Sequence, residues 1–157
     1  MQLIIVVGLP GSGKTTFWKN TTCHPPMAVR VSLDDFRRVI IGKDYFAPFE
    51  PTVHAWTEQT VRYLLSQGFS VYLDATSIRR GLRAKYIRLA KEYGAETVCY
   101  EMKTSYHTCL ERNKQRERVV PEEVIRRMSE DYEEPTIDEG FDRIFAVSEE
   151  GHIAHKS

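Results

Sequence analysis

The sequence has no long apolar segment and few cysteines. No stretch of its 157 residues approaches the ~18 consecutive apolar residues that cross a membrane. The first apolar run, Leu3 to Leu9, is too short for a span and lacks a basic leader, so we do not expect a secretory signal. Cys23, Cys99 and Cys109 form no CxxC pair. This odd number argues against a disulfide framework or a zinc site and favours a reducing, cytoplasmic compartment.

The chain also lacks internal repeats, low-complexity tracts, obvious linkers and net charge. Its length fits one domain spanning residues 1–157. The charges are unevenly distributed, because residues 1–127 hold 20 lysines and arginines against 13 acids, whereas residues 128–157 hold 2 against 9. A basic body suits a phosphorylated partner, although solvated surface charge explains the same excess. The acidic tail, Glu130–Asp142, either repels nucleic acid from one face or caps and solvates the last edge of the sheet.

Short apolar segments alternate with helical ones along the chain. We expect strands at Leu3–Val7, Met27–Ser32, Phe69–Leu73, Thr97–Met102 and Ile144–Val147. Helices are expected from about Lys14 and at Asp34–Ile41, His54–Gln67, Gly81–Tyr93, Tyr106–Glu117 and Pro121–Glu133. This alternation predicts an α/β fold, with a parallel sheet of about five strands and helices on both faces. In such sheets a ligand binds at the carboxyl ends of the strands.

A phosphate-binding motif follows the first strand. Residues 8–15, GLPGSGKT, fit the pattern GxxxxGK[ST] between a strand and a helix, which is the context this motif requires. Backbone N–H groups wrap a phosphate there, Lys14 reaches the β- and γ-phosphates, and the Thr15 hydroxyl ligates Mg²⁺. The motif therefore predicts ATP and Mg²⁺ as cofactors. The predicted nucleotide-binding residues here are Gly8, Pro10, Gly11, Ser12, Gly13, Lys14, Thr15 and Thr16.

Two acids follow the second strand, in the stretch VSLDDFRR. Asp34 lies at the carboxyl end of that strand, on the rim where a γ-phosphate would point. A kinase needs a carboxylate there to accept the proton of the attacking hydroxyl. The alternative, equally supported, is an N-cap of the next helix. Arg37, one helical turn on, is either a ligand for a phosphate of the acceptor or a solvated arginine.

Polar residues also lie at the end of the third strand, and basic residues cluster in a segment near residue 115. Asp74 is either a carboxylate that acts on Mg²⁺ indirectly or through a hydrogen-bond network, or a purely structural hydrogen-bond partner. Thr76 is a polar group on the rim. Arg112 and Arg116 lie four residues apart, so we expect them on one helical face of a lid that clamps the triphosphate. The other basic side chains of this segment are expected to be solvated, namely Lys114 and Arg118.

With these motifs, the chain resembles the 5′-hydroxyl polynucleotide kinase family of P-loop phosphotransferases. The resemblance is carried, in order, by GLPGSGKTTF, VSLDDFRR, VYLDATS, LERNKQRERVVPEEVIRRM and YEEPTIDEGF. It implies that Asp34 is the general base on the 5′-hydroxyl and that Arg37 holds the 3′-phosphate of the terminal nucleotide. It implies that Arg112 and Arg116 are the lid arginines. Lys14 matches the family's phosphate-binding lysine, and Thr15 matches the residue whose hydroxyl ligates Mg²⁺. Asp74 matches the acid after the third strand.

The sequence departs from this family in places and leaves the acceptor open. The family's Asp-x-Thr-Asn is here Asp74-Ala75-Thr76-Ser77, and no stretch is long enough for the phosphatase or ligase domain of many relatives, so we expect a kinase module alone. The expected reaction transfers the γ-phosphate of ATP to the 5′-hydroxyl end of DNA or RNA. The alternatives are a P-loop kinase of a small molecule or of a tRNA-linked hydroxyl, and a nucleotide-binding regulator. Three aromatic residues either stack bases or pack within their loop: Tyr45, Phe46 and Phe49.

Overall fold

Six strands form one mixed sheet in the order β2-β3-β1-β4-β5-β6. A computed structural model describes residues 1–21 and 24–156 of the chain. Five of the strands run parallel, and the last is antiparallel to its neighbour. The strands are β1 (Gln2–Val7), β2 (Val29–Ser32), β3 (Val71–Asp74), β4 (Glu96–Met102), β5 (Arg143–Val147) and β6 (Ile153–Lys156).

Six helices and two short 3-10 helices connect the strands in the described part of the chain. The helices are α1 (Lys14–Asn20), α2 (Leu33–Ile41), α3 (Glu50–Ser66), α4 (Arg80–Glu92), α5 (Tyr106–Lys114) and α6 (Glu122–Glu130). The 3-10 helices lie at Ala47–Phe49 and Ile137–Glu139. None of the described helices is long and apolar enough to cross a membrane.

The central strand β1 explains why helices cover both faces of the sheet. Successive side chains of a strand point to opposite faces, and β1 is apolar at every position from Leu3 to Val7. Leu3 and Ile5 pack with side chains of α3 and α4, whereas Ile4 and Val6 pack with Phe17 of α1. The predicted α/β fold, with a parallel sheet of about five strands between helices, is therefore confirmed.

The structure corrects several predicted boundaries. Strand β6 was not predicted because its side chains are exposed or only partly buried and form no apolar run. Strand β2 begins at Val29, after Met27 takes a positive φ of 62°. Helix α3 begins at Glu50, directly after the 3-10 helix, with Pro51 in its first turn, where a missing N–H costs nothing.

Two of the three cysteines lie in the part of the chain that the structure describes. Cys99 and Cys109 are buried free thiols, and burial raises the pKa of both. Cys23 lies outside the described residues. The described residues also contain no cluster of three or more histidine, cysteine and acidic side chains able to hold a metal ion.

The acidic tail pairs with arginines at the start of α4. Asp131 pairs with Arg79, and Asp138 pairs with Arg80. Glu139 reaches the interior, where Arg83 donates from Nε and Nη2 to its two carboxylate oxygens at 2.7 Å. Arg83 also donates from Nη1 to the carbonyl oxygen of Ser77 at 3.0 Å. The tail therefore has a structural role in covering the fold.

The buried Arg83–Glu139 pair gives a test of this role. Glu139→Ala should lower the free energy of unfolding by about 3–5 kcal/mol, because it leaves a buried guanidinium without its counter-charge. The double variant Arg83→Met/Glu139→Leu should lose less than the sum of the two single changes. The measurement is urea unfolding, with the surface variant Glu123→Ala as the control that changes little. A loss no larger than the control's would contradict the structural role.

Candidate active site

The loop between β1 and α1 is shaped by glycines that no other residue would replace freely. Gly11 has a φ of 81°, and a Cβ on it would lie 2.5 Å from the carbonyl oxygen of Cys109. Gly13 has a φ of 99° and is the N-cap of α1, with no side-chain capping bond. Gly8 lacks room for a Cβ, which would lie 2.4 Å from Ser12 Oγ. The loop can therefore pass close to β4, α5 and a ligand.

Lys14 is held over this loop by the loop's own oxygens. Its Nζ donates to the carbonyl oxygens of Gly8 at 3.0 Å and Leu9 at 2.8 Å. Burial lowers the pKa of Lys14 to about 8, although attraction to Asp74 works in the opposite direction. An anionic ligand beside Lys14 would favour its protonated form and raise this pKa.

Thr15 and Asp74 form the oxygen pair expected for a magnesium ion. Thr15 Oγ1 donates to Asp74 Oδ2 at 2.8 Å, and Arg30 Nε donates to the same oxygen at 2.8 Å. Asp74 is 7% exposed. Hydroxyl and carboxylate oxygens are ligands that Mg²⁺ accepts, and this ion takes its other ligands from water and phosphates. The residues present therefore fit Mg²⁺, directly through Thr15 and through the network of Asp74.

The structure excludes one of the two interpretations of Asp34. Ser32 is the N-cap of α2, because its Oγ accepts from the backbone N–H of Asp35 at 3.4 Å. The capping alternative for Asp34 is therefore wrong. Its Oδ1 instead accepts from Arg37 Nη1 at 2.7 Å and from Arg118 Nη1. Burial raises the pKa of Asp34, but Arg118 and Arg37 outweigh it and hold the pKa below its usual value.

Arg37 is not the solvated arginine of the alternative prediction. It donates to both carboxylate oxygens of Glu50 at 2.8 Å, from Nε and Nη2, in addition to its bond with Asp34. Burial lowers the pKa of Arg37, but the carboxylates of Glu50 and Asp34 outweigh burial and raise this pKa above its usual value. Glu50 in turn lies 3.8 Å from His54 Nε2.

The lid arginines are placed differently from the prediction. Helix α5 ends at Lys114, so Arg112 is helical but Arg116 lies in the following turn, and the two do not share one helical face. Arg112 Nη2 donates to the carbonyl oxygen of Glu149 at 3.3 Å. The prediction that Arg118 is solvated is wrong, because its side chain is only 18% exposed and contacts Asp34. Lys114 is exposed, as expected, and pairs with Glu111.

One cavity of about 1790 Å³ collects nearly all of these residues at the carboxyl ends of the parallel strands. Gly8 is the exception, and it donates its N–H to the carbonyl oxygen of Thr76 at 3.0 Å. The predicted site residues that line the cavity are Pro10, Gly11, Ser12, Gly13, Lys14, Thr15, Thr16, Asp34, Arg37, Asp74, Thr76, Arg112 and Arg116.

Some residues near the cavity were not predicted as site residues. Arg118 lines the cavity, and Arg30 holds Asp74. Their partners lie 84 and 44 residues away in sequence, so no local pattern indicates these pairs. At the fourth position of the VYLDATS stretch, Ser77 is buried with a φ of 48°, a conformation that asparagine tolerates better. Its hydroxyl has no hydrogen-bond partner among the described residues.

Comparisons with known proteins place the chain among phosphate-loop proteins. A family model described as AAA domain matches residues 3–135. L-seryl-tRNA(Sec) kinase from Methanococcus maripaludis is 29% identical over 142 residues, covering 85% of this chain and 53% of that protein. A structure of the Pnkp1/Rnl/Hen1 complex matches at 29% identity with a TM-score of 0.63, covering 76% of this chain and 40% of that one.

A second structure, titled as the Pnkp1/Rnl/Hen1 RNA repair complex, matches at 26% identity with a TM-score of 0.71. It covers 83% of this chain and 43% of the matched chain. The chain thus spans about half or less of the length of these relatives.

The low pKa of Lys14 predicts a proton linkage in nucleotide binding. With a pKa near 8, Lys14 is about half protonated at pH 8, and a bound phosphate raises that pKa. Binding of ATP at pH 8 should therefore take up about half a proton, and affinity should fall as the pH rises further. Isothermal titration calorimetry in buffers of different ionisation enthalpy measures this uptake.

The matched control is Lys14→Arg, which keeps its charge across this pH range and should take up no proton at pH 8. Equal proton uptake in both proteins, or none in the native one, would contradict the assignment of the linkage to Lys14.

Proposed function

The chain belongs to the AAA domain family, and we propose that residues 1–157 form an ATP-dependent polynucleotide 5′-hydroxyl kinase. In this proposal the γ-phosphate of ATP moves to the 5′-hydroxyl end of DNA or RNA. The observation that carries it is that one cavity is lined both by the phosphate loop and by the arginine-held carboxylate of Asp34.

On the donor side, the loop residues hold the triphosphate. Backbone N–H groups of residues 13–16 and the Lys14 ammonium bind the phosphates, and Thr15 with Asp74 holds the metal site. Mg²⁺, when bound there, neutralises charge on the β- and γ-phosphates. Arg112 and Arg116 also line the cavity and add two further cations where negative charge spreads over the transferred group.

On the acceptor side, Asp34 accepts the proton of the attacking hydroxyl. The 5′-oxygen forms a bond to the γ-phosphorus as the bond from that phosphorus to the β–γ bridging oxygen breaks, so ADP is the leaving group. The proton moves from the hydroxyl to the carboxylate of Asp34, which then returns it to water. The two arginines hold the pKa of Asp34 below its usual value, so its carboxylate is ionised at neutral pH.

Several features support a nucleic acid as the acceptor. The two Pnkp1 complex structures are 26% and 29% identical to this chain, and one is titled an RNA repair complex. Tyr45 lines the cavity, and Phe46 and Phe49 lie exposed beside it with ring centroids 5.6 Å apart. Lys43 Nζ lies 5.5 Å from the centroid of the Phe46 ring. Exposed rings next to cations suit the stacking of single-stranded bases.

A hydroxyl linked to tRNA is the second candidate acceptor. It is favoured by the 29% identity to L-seryl-tRNA(Sec) kinase, which extends over 85% of this chain. The donor side and the role of Asp34 would be the same for both acceptors. Only the identity of the attacking hydroxyl distinguishes them.

The test is transfer of labelled γ-phosphate from ATP to 5′-hydroxyl DNA and RNA oligonucleotides, with seryl-tRNA tested in parallel. Asp34→Asn should lower kcat by about 10²–10⁴-fold, because the amide does not accept the proton. ATP affinity should change little. Asp138→Asn is the control, since that acid also pairs with an arginine but lies on the surface.

The outcomes separate the candidates. Transfer to an oligonucleotide that is lost in Asp34→Asn and kept in Asp138→Asn supports the proposal. ATP binding without transfer to any oligonucleotide contradicts it, and transfer to seryl-tRNA alone then establishes the second candidate.

A further inference from the structure

We propose that Arg118 is a positioning residue, which holds one oxygen of Asp34 and thereby ties the acid of the acceptor side to the lid segment between α5 and α6. This inference rests on the proposed function for its catalytic consequence. Its structural part, the control of Asp34 by Arg118, stands on the contacts of these side chains alone.

The lid segment comprises residues 115–121, and its ends are fixed to each other. Asn113 is buried at the end of α5 and spans the segment with two hydrogen bonds to Val120. Asn113 Nδ2 donates to the carbonyl oxygen of Val120 at 2.7 Å, and its Oδ1 accepts from the N–H of Val120 at 3.0 Å. These two hydrogen bonds join the ends of the segment into a closed loop, which holds Arg118 in a defined position.

Arg118 and Arg37 bind the same oxygen of Asp34. Both guanidiniums donate from Nη1 to Oδ1, and neither of these two hydrogen bonds uses Oδ2. Since Arg37 is itself anchored by two bonds to Glu50, the two arginines fix the carboxylate from two independent elements. This division leaves Oδ2 as the oxygen that can accept a proton.

The charges around Asp34 are dominated by these two cations. Arg118 is the larger of the two charge contributions that lower its pKa, against the opposing effect of burial. Further groups facing this corner come from α1, α2, α3 and the segment after α2, and they belong to both signs. They are Lys14, Arg38, Asp44, Glu50 and His54.

The lid segment carries one arginine for the donor side of the cavity and one for the acceptor side. Arg116 and Arg118 lie two residues apart in the same loop, and both line the cavity. In the proposed reaction, Arg116 reaches the triphosphate while Arg118 holds the base. Placement of the loop on ATP then fixes Asp34 at the same time, so a single loop serves the donor and the acceptor.

The test compares Arg118→Gln with Arg118→Lys and with Lys114→Gln, a control that removes a cation from the surface end of α5. The carbon-13 NMR signal of the Asp34 carboxyl carbon reports its titration in each protein without requiring activity. In Arg118→Gln the pKa of Asp34 should rise by about one unit, because a partner cation is lost. It should stay near the native value in the other two variants.

The catalytic consequence is read from the pH dependence of phosphate transfer. The acid limb of kcat/KM for the acceptor should move upward by the same amount in Arg118→Gln, while the KM for ATP changes less than kcat does. Arg118→Lys should restore most of both, and thermal unfolding shows that each variant is folded.

The two proposals fail separately. An unchanged titration of Asp34 in folded Arg118→Gln overturns the role of Arg118, whatever the activity. If the titration of Asp34 shifts in Arg118→Gln but the native protein phosphorylates no 5′-hydroxyl, the contact is supported and the proposed function is overturned instead.

Discussion

The parallel register of β2, β3 and β1 is the constraint on which the site depends. Ser32 pairs with Asp74 across β2 and β3, and Ile5 pairs with Leu73 across β3 and β1. The three strands therefore end at one level, and the chain leaves each of them at the same edge. This register brings the phosphate loop, Asp74 and Asp34 to one cavity, although they lie tens of residues apart in sequence.

Arginines make this concentration of charge tolerable. Asp74 is buried and is held by Arg30, whereas Asp34 is held by Arg37 and Arg118. A buried or half-buried carboxylate without such partners would lose much of its charge to protonation. Two of these cations, Arg37 and Arg118, also line a cavity suited to phosphates, so stability and the proposed chemistry share side chains.

The local parts of the site were predictable from the sequence. The phosphate loop is a continuous motif, and the placement of Asp34 follows from a strand that ends two residues before it. The apolar runs of β1, β3 and β4 indicated the fold class in the same local way, because these strands are buried on both faces.

The long-range parts were not predictable. Arg118 lies 84 residues from Asp34, and Arg83 lies 56 residues from Glu139, so neither pair leaves a local signal. The end of α5 at Lys114 was missed because the residues after it favour a helix, whereas Asn113 closes them into a loop. Strand β6 pairs as an exposed edge and shows no apolar pattern.

The central claim is that one cavity places an acceptor hydroxyl between Asp34 and a γ-phosphate on the loop. The most direct measurement is a crystal structure with Mg²⁺, a non-hydrolysable ATP analogue and a 5′-hydroxyl oligonucleotide. The account predicts the 5′-oxygen within about 3.2 Å of Asp34 Oδ2 and about 3–3.5 Å from the γ-phosphorus. A 5′ end bound away from Asp34, or a γ-phosphate directed out of the cavity, would contradict it.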